Sequence, residues 1–280
     1  MKICTNCQSL QSEIETLRAQ GHSIGFVPTM GALHQGHLSL VQRAKRENPV
    51  CVVSIFVNPT QFNDKDDLAR YPRDLKKDTD LLGTVSCDLV FAPSVEEVYP
   101  QEDTRAFDFG TLDKVMEGAF RPGHFNGVAQ VVSRLFEIVR PDKAYFGEKD
   151  FQQVAIITEM VRQLSIPVKI VRCPIVREKD GLAMSSRNML LDPEHRAAAP
   201  HISKVLYQAV DKVCEMEVDA MRTWIETEIN RNALLEVEYA DIVDALTLQP
   251  VHSWKEGGMK FACVAVRAGK IRLIDNMRLA

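Results

Sequence analysis

Residues 23–57 read SIGFVPTMGALHQGHLSLVQRAKRENPVCVVSIFV, and this stretch decides the fold. Its opening, 23–28, is a short strand-like run that ends in Pro28-Thr-Met-Gly31. Residues 38–46 then carry helical spacing and stop at Asn48-Pro49, a pair that ends helices. Residues 50–57 form an unbroken β-branched and aromatic run. The run does not alternate with polar residues, so it predicts a strand covered on both faces. Two strands joined by a helix require a crossover connection, which pairs them in parallel.

The same alternation continues outward. Residues 5–19 place Leu10, Ile14 and Leu17 at helical spacing, with Gly21 as a C-cap. Residues 68–82 read as a polar amphipathic helix and 87–92 as a short strand. Residues 126–139 are helical by period and stop before Pro141. Residues 143–146 are strand-like, 151–164 helical and 167–177 strand-like. Strands and helices alternating to about residue 177 predict an α/β domain, a parallel sheet with helices on both sides. Ligands of such sheets bind at the carboxyl ends of the strands, near the switch in strand order.

Beyond residue 177 the texture changes. Residues 193–213, interrupted by Pro200, and 219–232 read as helices. Residues 237–243, 260–267 and 270–274 read as strands, the last two joined at Ala268-Gly269 as a tight hairpin. These predict a smaller α+β domain over 178–280.

With 280 residues and 45% hydrophobic residues, the chain is long enough for a sizeable core. A net charge of −4 argues against bulk nucleic-acid binding. The N-terminus lacks the basic-then-apolar pattern of a signal peptide, and the apolar run at 50–57 is too short to cross a membrane, so a cytoplasmic location is expected. Seven cysteines, several inside apolar runs, read as buried free thiols of a reducing compartment. Cys4 and Cys7 form a lone C-x-x-C. A zinc site would need further ligands at matching spacing, so chance spacing is the plainer reading.

Four polar clusters follow predicted strands. In Met30-Gly-Ala-Leu-His34-Gln-Gly-His37, the two histidines fall on one face where a helix begins. Unpaired backbone N–H groups there attract phosphate, and the glycines admit a ligand close to the backbone. The competing readings are a surface cap with a packed ring, or a zinc site. Gly147-Glu-Lys149-Asp150 puts a cation at a helix start, which a phosphate would offset; an exposed polar turn is the alternative. Met184-Ser185-Ser186-Arg187 places two hydroxyls and a guanidinium in one loop, suited either to phosphate or to a capped polar turn. Asn58-Pro-Thr-Gln61-Phe62 ends the 50–57 strand with amides that can read a small polar substrate, or with an ordinary turn. Arg121-Pro-Gly-His124 is either a lid or a plain connection. The chain carries neither G-x-x-x-x-G-K-[ST] nor G-x-G-x-x-G after the first strand.

PTMGALHQGH, SIFVNPTQF, RPGHF, YFGEKDFQQ, DGLAMSSRN and RLIDN, in this order, resemble the pantothenate synthetase family from about Ser23 to the C-terminus. His34-Gln-Gly-His37 and Met184-Ser-Ser-Arg187 also resemble the nucleotide signatures of the wider class I synthetase and nucleotidyltransferase superfamily. Two positions depart from the family pattern: Thr60 stands where methionine is common, and Leu190 where tyrosine is common.

The resemblance implies a Rossmann-like doubly wound domain over 1–177 that binds ATP and pantoate. A smaller C-terminal domain over 178–280 would close over the site, and the enzyme would be a homodimer. It implies ATP with Mg²⁺, pantoate and β-alanine as substrates, condensed through a pantoyl adenylate. It places Met30, Gly31, Ala32, Leu33, His34, Gln35, Gly36 and His37 on ATP, with His37 as proton donor. Gly147, Glu148, Lys149 and Asp150 would also bind ATP, Val176 would lie against adenine, and Met184, Ser185, Ser186 and Arg187 would close on the phosphates. Gln61 and Gln153 would bracket pantoate, Gln61 also near β-alanine. Asn58, Arg121 and His124 would be site neighbours. The rival expectations are a nucleotidyltransferase that stops at the nucleotidyl product and a nucleotide-binding protein without chemistry.

Overall fold

The computed structural model of the chain describes residues 1–61, 68–69 and 71–280. It divides into two compact units. The first comprises 1–109, 121–148 and 156–174, and the second 110–120, 149–155 and 175–280.

The first unit is built on six strands: β1 (Lys2–Cys4), β2 (Ile24–Thr29), β3 (Val50–Ile55), β4 (Leu89–Phe91), β5 (Lys143–Gly147) and β6 (Lys169–Cys173). They lie in the order β1-β4-β3-β2-β5-β6, and every pair is parallel. Ile24 faces Val50 at the start of the central pair and Thr29 faces Ile55 at its end. Strand order reverses direction between β2 and β5, so the loops leaving those two strands flank the switch.

The pleat sends successive side chains to opposite faces. Val27, Cys51, Val53 and Val90 pack with Leu38, Val41 and Ala44 of helix Gln35–Glu47 and Leu82 of helix Leu75–Thr84. On the other face the Phe26 ring meets Phe136 of helix His124–Val139 at 6.2 Å, and Phe136 meets Phe146 at 6.4 Å. Burial on both faces explains why β3 is apolar at nearly every position.

Two helix starts differ from expectation. Residues 71–74 of the expected helix 68–82 are not helical, and the helix begins only at Leu75. Pro72 lacks a backbone donor, and the Asp74 side chain caps the new start by accepting from Lys77 N at 3.0 Å. The N-terminal helix begins at Cys7, capped by Asn6, because residues 2–4 pair with β4 instead.

The second unit centres on three antiparallel strands, β7 (Leu235–Asp244), β8 (Lys260–Ala268) and β9 (Ile271–Arg278). Ala262, Val264 and Val266 of β8 pack with Ile202 and Leu206 of helix His201–Asp211 and Met221 and Ile225 of helix Val218–Asn230. Phe261 and Cys263, on the opposite face, pack with Phe151 and Met116. Pro200 separates helix Pro193–Ala198 from His201–Asp211, as the sequence predicts.

Residues 110–120 join this unit through charge. Arg272 of β9 donates to both carboxylate oxygens of Glu117 at 2.7 Å and to Glu238 at 2.7 Å. The Tyr239 hydroxyl donates to Glu117 at 2.9 Å. Removing Arg272 would take a two-armed cation from the largely buried Glu117 carboxylate and leave Glu238 with Arg267 at 2.9 Å. Arg272→Ala is expected to lower unfolding stability by about 3–5 kcal/mol, read from urea denaturation; a loss below ~1 kcal/mol would show that the cluster does not anchor the segment.

Candidate active site

The turn after β2 is shaped by two left-handed residues, Gly31 (φ 81°) and Ala32 (φ 51°). A side chain at Gly31 would meet Asp78 Oδ2 at 2.8 Å and Ile55 at 3.2 Å, so only glycine fits. Asp78, buried on helix Leu75–Thr84, accepts from Ala32 N at 3.0 Å and Leu33 N at 2.8 Å. Burial pushes its carboxyl up, and the two backbone donors pull against that rise. The sequence carries no sign of this role, because nothing local links Asp78 to a turn more than forty residues away.

His34 caps helix Gln35–Glu47. Its Nδ1 accepts from Gly36 N at 3.1 Å, while His37 Nδ1 accepts from His34 N at 3.3 Å. The rings lie 4.1 Å apart between centroids. A neutral imidazole that accepts at Nδ1 carries its proton at Nε2, so the cap assigns the same tautomer to both rings. The surface-cap reading and the ligand reading are therefore compatible: each ring caps with one nitrogen and can donate with the other.

The turn Pro59–Gln61 after β3 is clamped from three sides. Asn58 is buried; its amide donates to Gly127 O at 3.2 Å and to Gln61 Oε1 at 3.3 Å, and accepts from the Tyr99 hydroxyl at 3.1 Å. Burial holds the Tyr99 phenol at about 12, so it stays a donor. His124 Nδ1 donates to Gln61 O at 2.8 Å. A Cβ at Gly127 would come within 2.6 Å of Thr60 O, so helix His124–Val139 needs glycine there. Gln61 Nε2 reaches Met30 Sδ at 3.0 Å, joining this turn to the first. Asn58 and His124 thus support Gln61 from behind. Phe62 lies outside the described residues.

In the second unit, Lys149 and Asp150 precede helix Phe151–Gln163, and Asp150 O accepts from Val154 N at 3.1 Å. Gln153 is half-buried on that helix, while its neighbour Gln152 is buried and donates to Leu112 O and Val115 O. Val176 O accepts from Met184 N at 3.0 Å, and Arg177 bridges Ala183, so 176–184 is a small hairpin. Ser185 Oγ caps the next turn by accepting from Arg187 N at 3.2 Å. Asn188, buried, donates to Glu178 at 2.8 Å and Ala183 O at 3.1 Å. Ser185 to Arg187 therefore stand on a braced turn.

The candidate residues Met30–His37, Asn58, Gln61, Arg121, His124, Gly147 and Glu148 fall in the first unit; Lys149, Asp150, Gln153, Val176 and Met184–Arg187 fall in the second. Cys4 and Cys7 stand apart from both groups. Cys4 is buried in β1, and the Cys7 thiol donates to Glu97 O at 3.3 Å. Burial, then the Glu97 carboxylate, pushes Cys7 up to about 11, which is not a reactive thiolate. Among the described residues no group of three or more His, Cys, Asp or Glu is placed to hold a metal ion.

A parallel sheet with a switch in strand order, and a glycine turn and paired histidines at the carboxyl end of β2, defines an α/β fold of the Rossmann nucleotide-binding type. A sequence model of the family described as pantoate-beta-alanine ligase matches residues 2–278. The pantothenate synthetase of Bacteroides thetaiotaomicron is 55% identical over 278 residues, covering 99% of each chain, and that of Porphyromonas gingivalis is 52% identical with the same coverage. The crystal structure of pantoate-beta-alanine ligase (pantothenate synthetase) from Thermus thermophilus matches at TM-score 0.93 and 45% identity, covering 100% of this chain and 99% of that one. The Francisella tularensis pantoate-beta-alanine ligase, complexed with beta-gamma ATP and beta-alanine, matches at TM-score 0.84 and 36% identity, covering 100% and 98%. The chain belongs to the pantoate-beta-alanine ligase family and is a ligase.

Asp78→Asn keeps the side-chain shape but loses the charge and one acceptor. Amide exchange at Ala32 and Leu33 is expected to speed up at least about tenfold, because bonds to a charged group are worth about 1.5–3 kcal/mol; unchanged exchange by NMR would exclude the anchor. The pH sign follows from the raised carboxyl. Folded Asp78 keeps its proton to higher pH than the unfolded chain does. Its contribution to stability therefore declines as pH rises above the ordinary carboxylate range, and Asp78→Asn removes that decline.

Proposed function

We propose that the chain condenses pantoate with β-alanine, using ATP and releasing AMP and pyrophosphate, by way of a pantoyl adenylate. The observation that carries this reading is the family match over residues 2–278. The beta-gamma ATP and beta-alanine named in the Francisella complex support the choice of substrates. A carboxylate is a poor acyl donor, because oxide is a bad leaving group. In the first step a carboxylate oxygen of pantoate attacks the α-phosphorus of ATP, and the bond to pyrophosphate breaks. In the second the β-alanine nitrogen attacks the acyl carbon, the bond to AMP breaks, and the nitrogen gives up a proton. No covalent enzyme intermediate is needed, so the cysteines need no catalytic role.

Negative charge develops on the α-phosphoryl oxygens and on departing pyrophosphate. His34, His37, Lys149 and Arg187 are assigned to stabilise it where it forms. His37 is assigned as proton donor, a role its Nε2–H tautomer supports. The left-handed turn at Gly31 and Ala32 supports close approach of ATP to the backbone from Met30 to Leu33 and at Gln35 and Gly36. Gly147, Glu148 and Asp150 are assigned to ATP with Lys149; Val176 is assigned to adenine, and Met184, Ser185 and Ser186 to the phosphates with Arg187. Gln61 and Gln153 are assigned to pantoate, fixing its carboxylate for attack. Gln61 also serves β-alanine, with Asn58, Arg121 and His124 as neighbours. Mg²⁺ is read as part of the ATP substrate, where it neutralises phosphate charge.

In this reading residues 1–177 bind ATP and pantoate, and 178–280 are the smaller domain that supplies Met184 to Arg187. We also infer a cytoplasmic homodimer. No helix among the described residues is long and apolar enough to cross a membrane, and sedimentation velocity reads the dimer directly.

The decisive assay is pyrophosphate release from ATP with pantoate, with and without β-alanine, and products identified by mass spectrometry. Pantoate-dependent release, with pantothenate and AMP only when β-alanine is present, is expected. Release that stops at a nucleotidyl product would favour the nucleotidyltransferase. His37→Ala and Lys149→Ala are each expected to lower kcat by about 10²–10³, as loss of one charge-stabilising donor does; near-normal adenylate formation would refute the role of that residue. Gln61→Ala is expected to weaken pantoate by about 10- to 100-fold with ATP affinity nearly unchanged, and equal weakening of both by titration calorimetry would reject the assignment.

A further inference from the structure

Asp275 and Asn276 close the RLIDN motif, for which the mechanism has no role. Both are buried, at 4% and 3% exposure, on β9. The pleat sends them to opposite faces of the sheet. Asp275 faces Val264, on the side packed by helices, and Asn276 faces Cys263, on the side packed by Phe151.

Each grips a different segment. Asp275 receives both arms of Arg177, at 2.7 and 3.0 Å, and Arg177 also donates to Gly181 O at 3.1 Å. Arg177 and Gly181 belong to the hairpin that leads into Met184 to Arg187. The Asn276 amide donates to Lys149 O at 3.1 Å, at the turn before helix Phe151–Gln163. The two residues are tied together, since Asp275 Oδ1 accepts from Asn276 N at 2.8 Å and Arg177 donates to Asn276 O at 3.4 Å. An ordinary apolar strand end would bury as well and would avoid taking a charge pair out of water. What the polar pair adds is a fixed geometry for two backbone segments.

We propose that Asn276, braced by Asp275 and Arg177, is a positioning residue that sets Lys149 in register with the Met184–Arg187 loop for the triphosphate. This rests on the assignment of those two segments to ATP. The Asn276 amide holds the lysine by its backbone carbonyl, so it acts through Lys149 rather than on the nucleotide. Loss of the amide frees the turn, and a shift of about 1 Å in a charged group costs up to about 100-fold.

The test is a double-mutant cycle read by Mg–ATP affinity in titration calorimetry, with Asn276→Ala, Lys149→Ala and the double variant of the full chain. Asn276→Ala is expected to weaken ATP about tenfold when Lys149 is present and less than about twofold when it is absent. Asn276→Gln, which keeps the amide donor, is expected to recover part of the loss. Circular dichroism and melting temperature check that each variant folds, and Asn276→Gln carries the test if Asn276→Ala does not. Equal weakening in both backgrounds, or no weakening in either, overturns the proposal. Pantoate-dependent pyrophosphate release by the unmutated chain judges the ligase reading separately, because the cycle needs only ATP binding.

Discussion

A loop that leaves a parallel strand toward a ligand has lost its sheet partners, and its backbone N–H groups must still be satisfied. The rest of this molecule's functional architecture depends on that constraint. In the first unit a buried carboxylate meets it: Asp78 takes the N–H groups of Ala32 and Leu33. The next two orphan donors go to imidazole nitrogens, His34 N to His37 and Gly36 N to His34. The turn is thereby held by the chain itself, with no call on an external ligand. In the second unit Asp275 and Asn276 hold their segments through Arg177 and the Lys149 carbonyl.

These solutions carry an electrostatic cost that the packing must offset. A buried carboxylate is disfavoured by desolvation, and both Asp78 and Asp275 are pushed up by burial against the donors that stabilise them. The unmet alternative is worse, since an unpaired buried N–H or guanidinium costs more than the paired one gains. The apolar core of each unit supplies the surplus. Phe26, Phe136 and Phe146 lock the helix His124–Val139 to the sheet, and the Ile202, Leu206, Met221 and Ile225 layer holds β8. Polar anchors then decide where loops stand, and apolar packing decides that the fold stands at all.

This division explains what the sequence can reveal. The 23–57 stretch is legible because strand and helix periods are local patterns. The apolar run of β3 and the stop at Asn48-Pro49 need no partner to be read. The paired histidines are legible as a helix-start cluster, and the β8–β9 hairpin by its glycine, although the turn is Gly269-Lys270, one residue later than Ala268-Gly269, because Ala268 pairs with Ile271. Three-residue β1 is not legible, because its strand character comes from pairing with Leu89 to Phe91, far along the chain. The helix start at Leu75 is obscured because an apolar period continues upstream, although Pro72 and Asp74 both mark the true boundary. In the sequence Asp78 is one acid among several in a polar stretch. Its role exists only once that helix packs beneath the β2 turn, a contact that no local spacing encodes.

The histidine cap shows why supports of this kind suit acyl activation. A transition state that gathers charge on phosphoryl oxygens is best met by donors already in place, because any group that must turn or shed water during the step wastes part of its effect. An unconstrained imidazole can offer either nitrogen. Here the backbone occupies Nδ1 of both rings, so the N–H of each neutral ring is at Nε2. The helix gains its cap and the rings gain a fixed donor direction from the same two hydrogen bonds. Gln61 is treated likewise: Asn58 holds its side-chain oxygen, His124 holds its backbone, and its amide donor is aimed toward Met30. In each case the side chain proposed to meet substrate has its conformational freedom removed by neighbouring residues, through hydrogen bonds that do not themselves involve the substrate. A substitution among those supporting residues therefore reaches the chemistry through direction rather than contact.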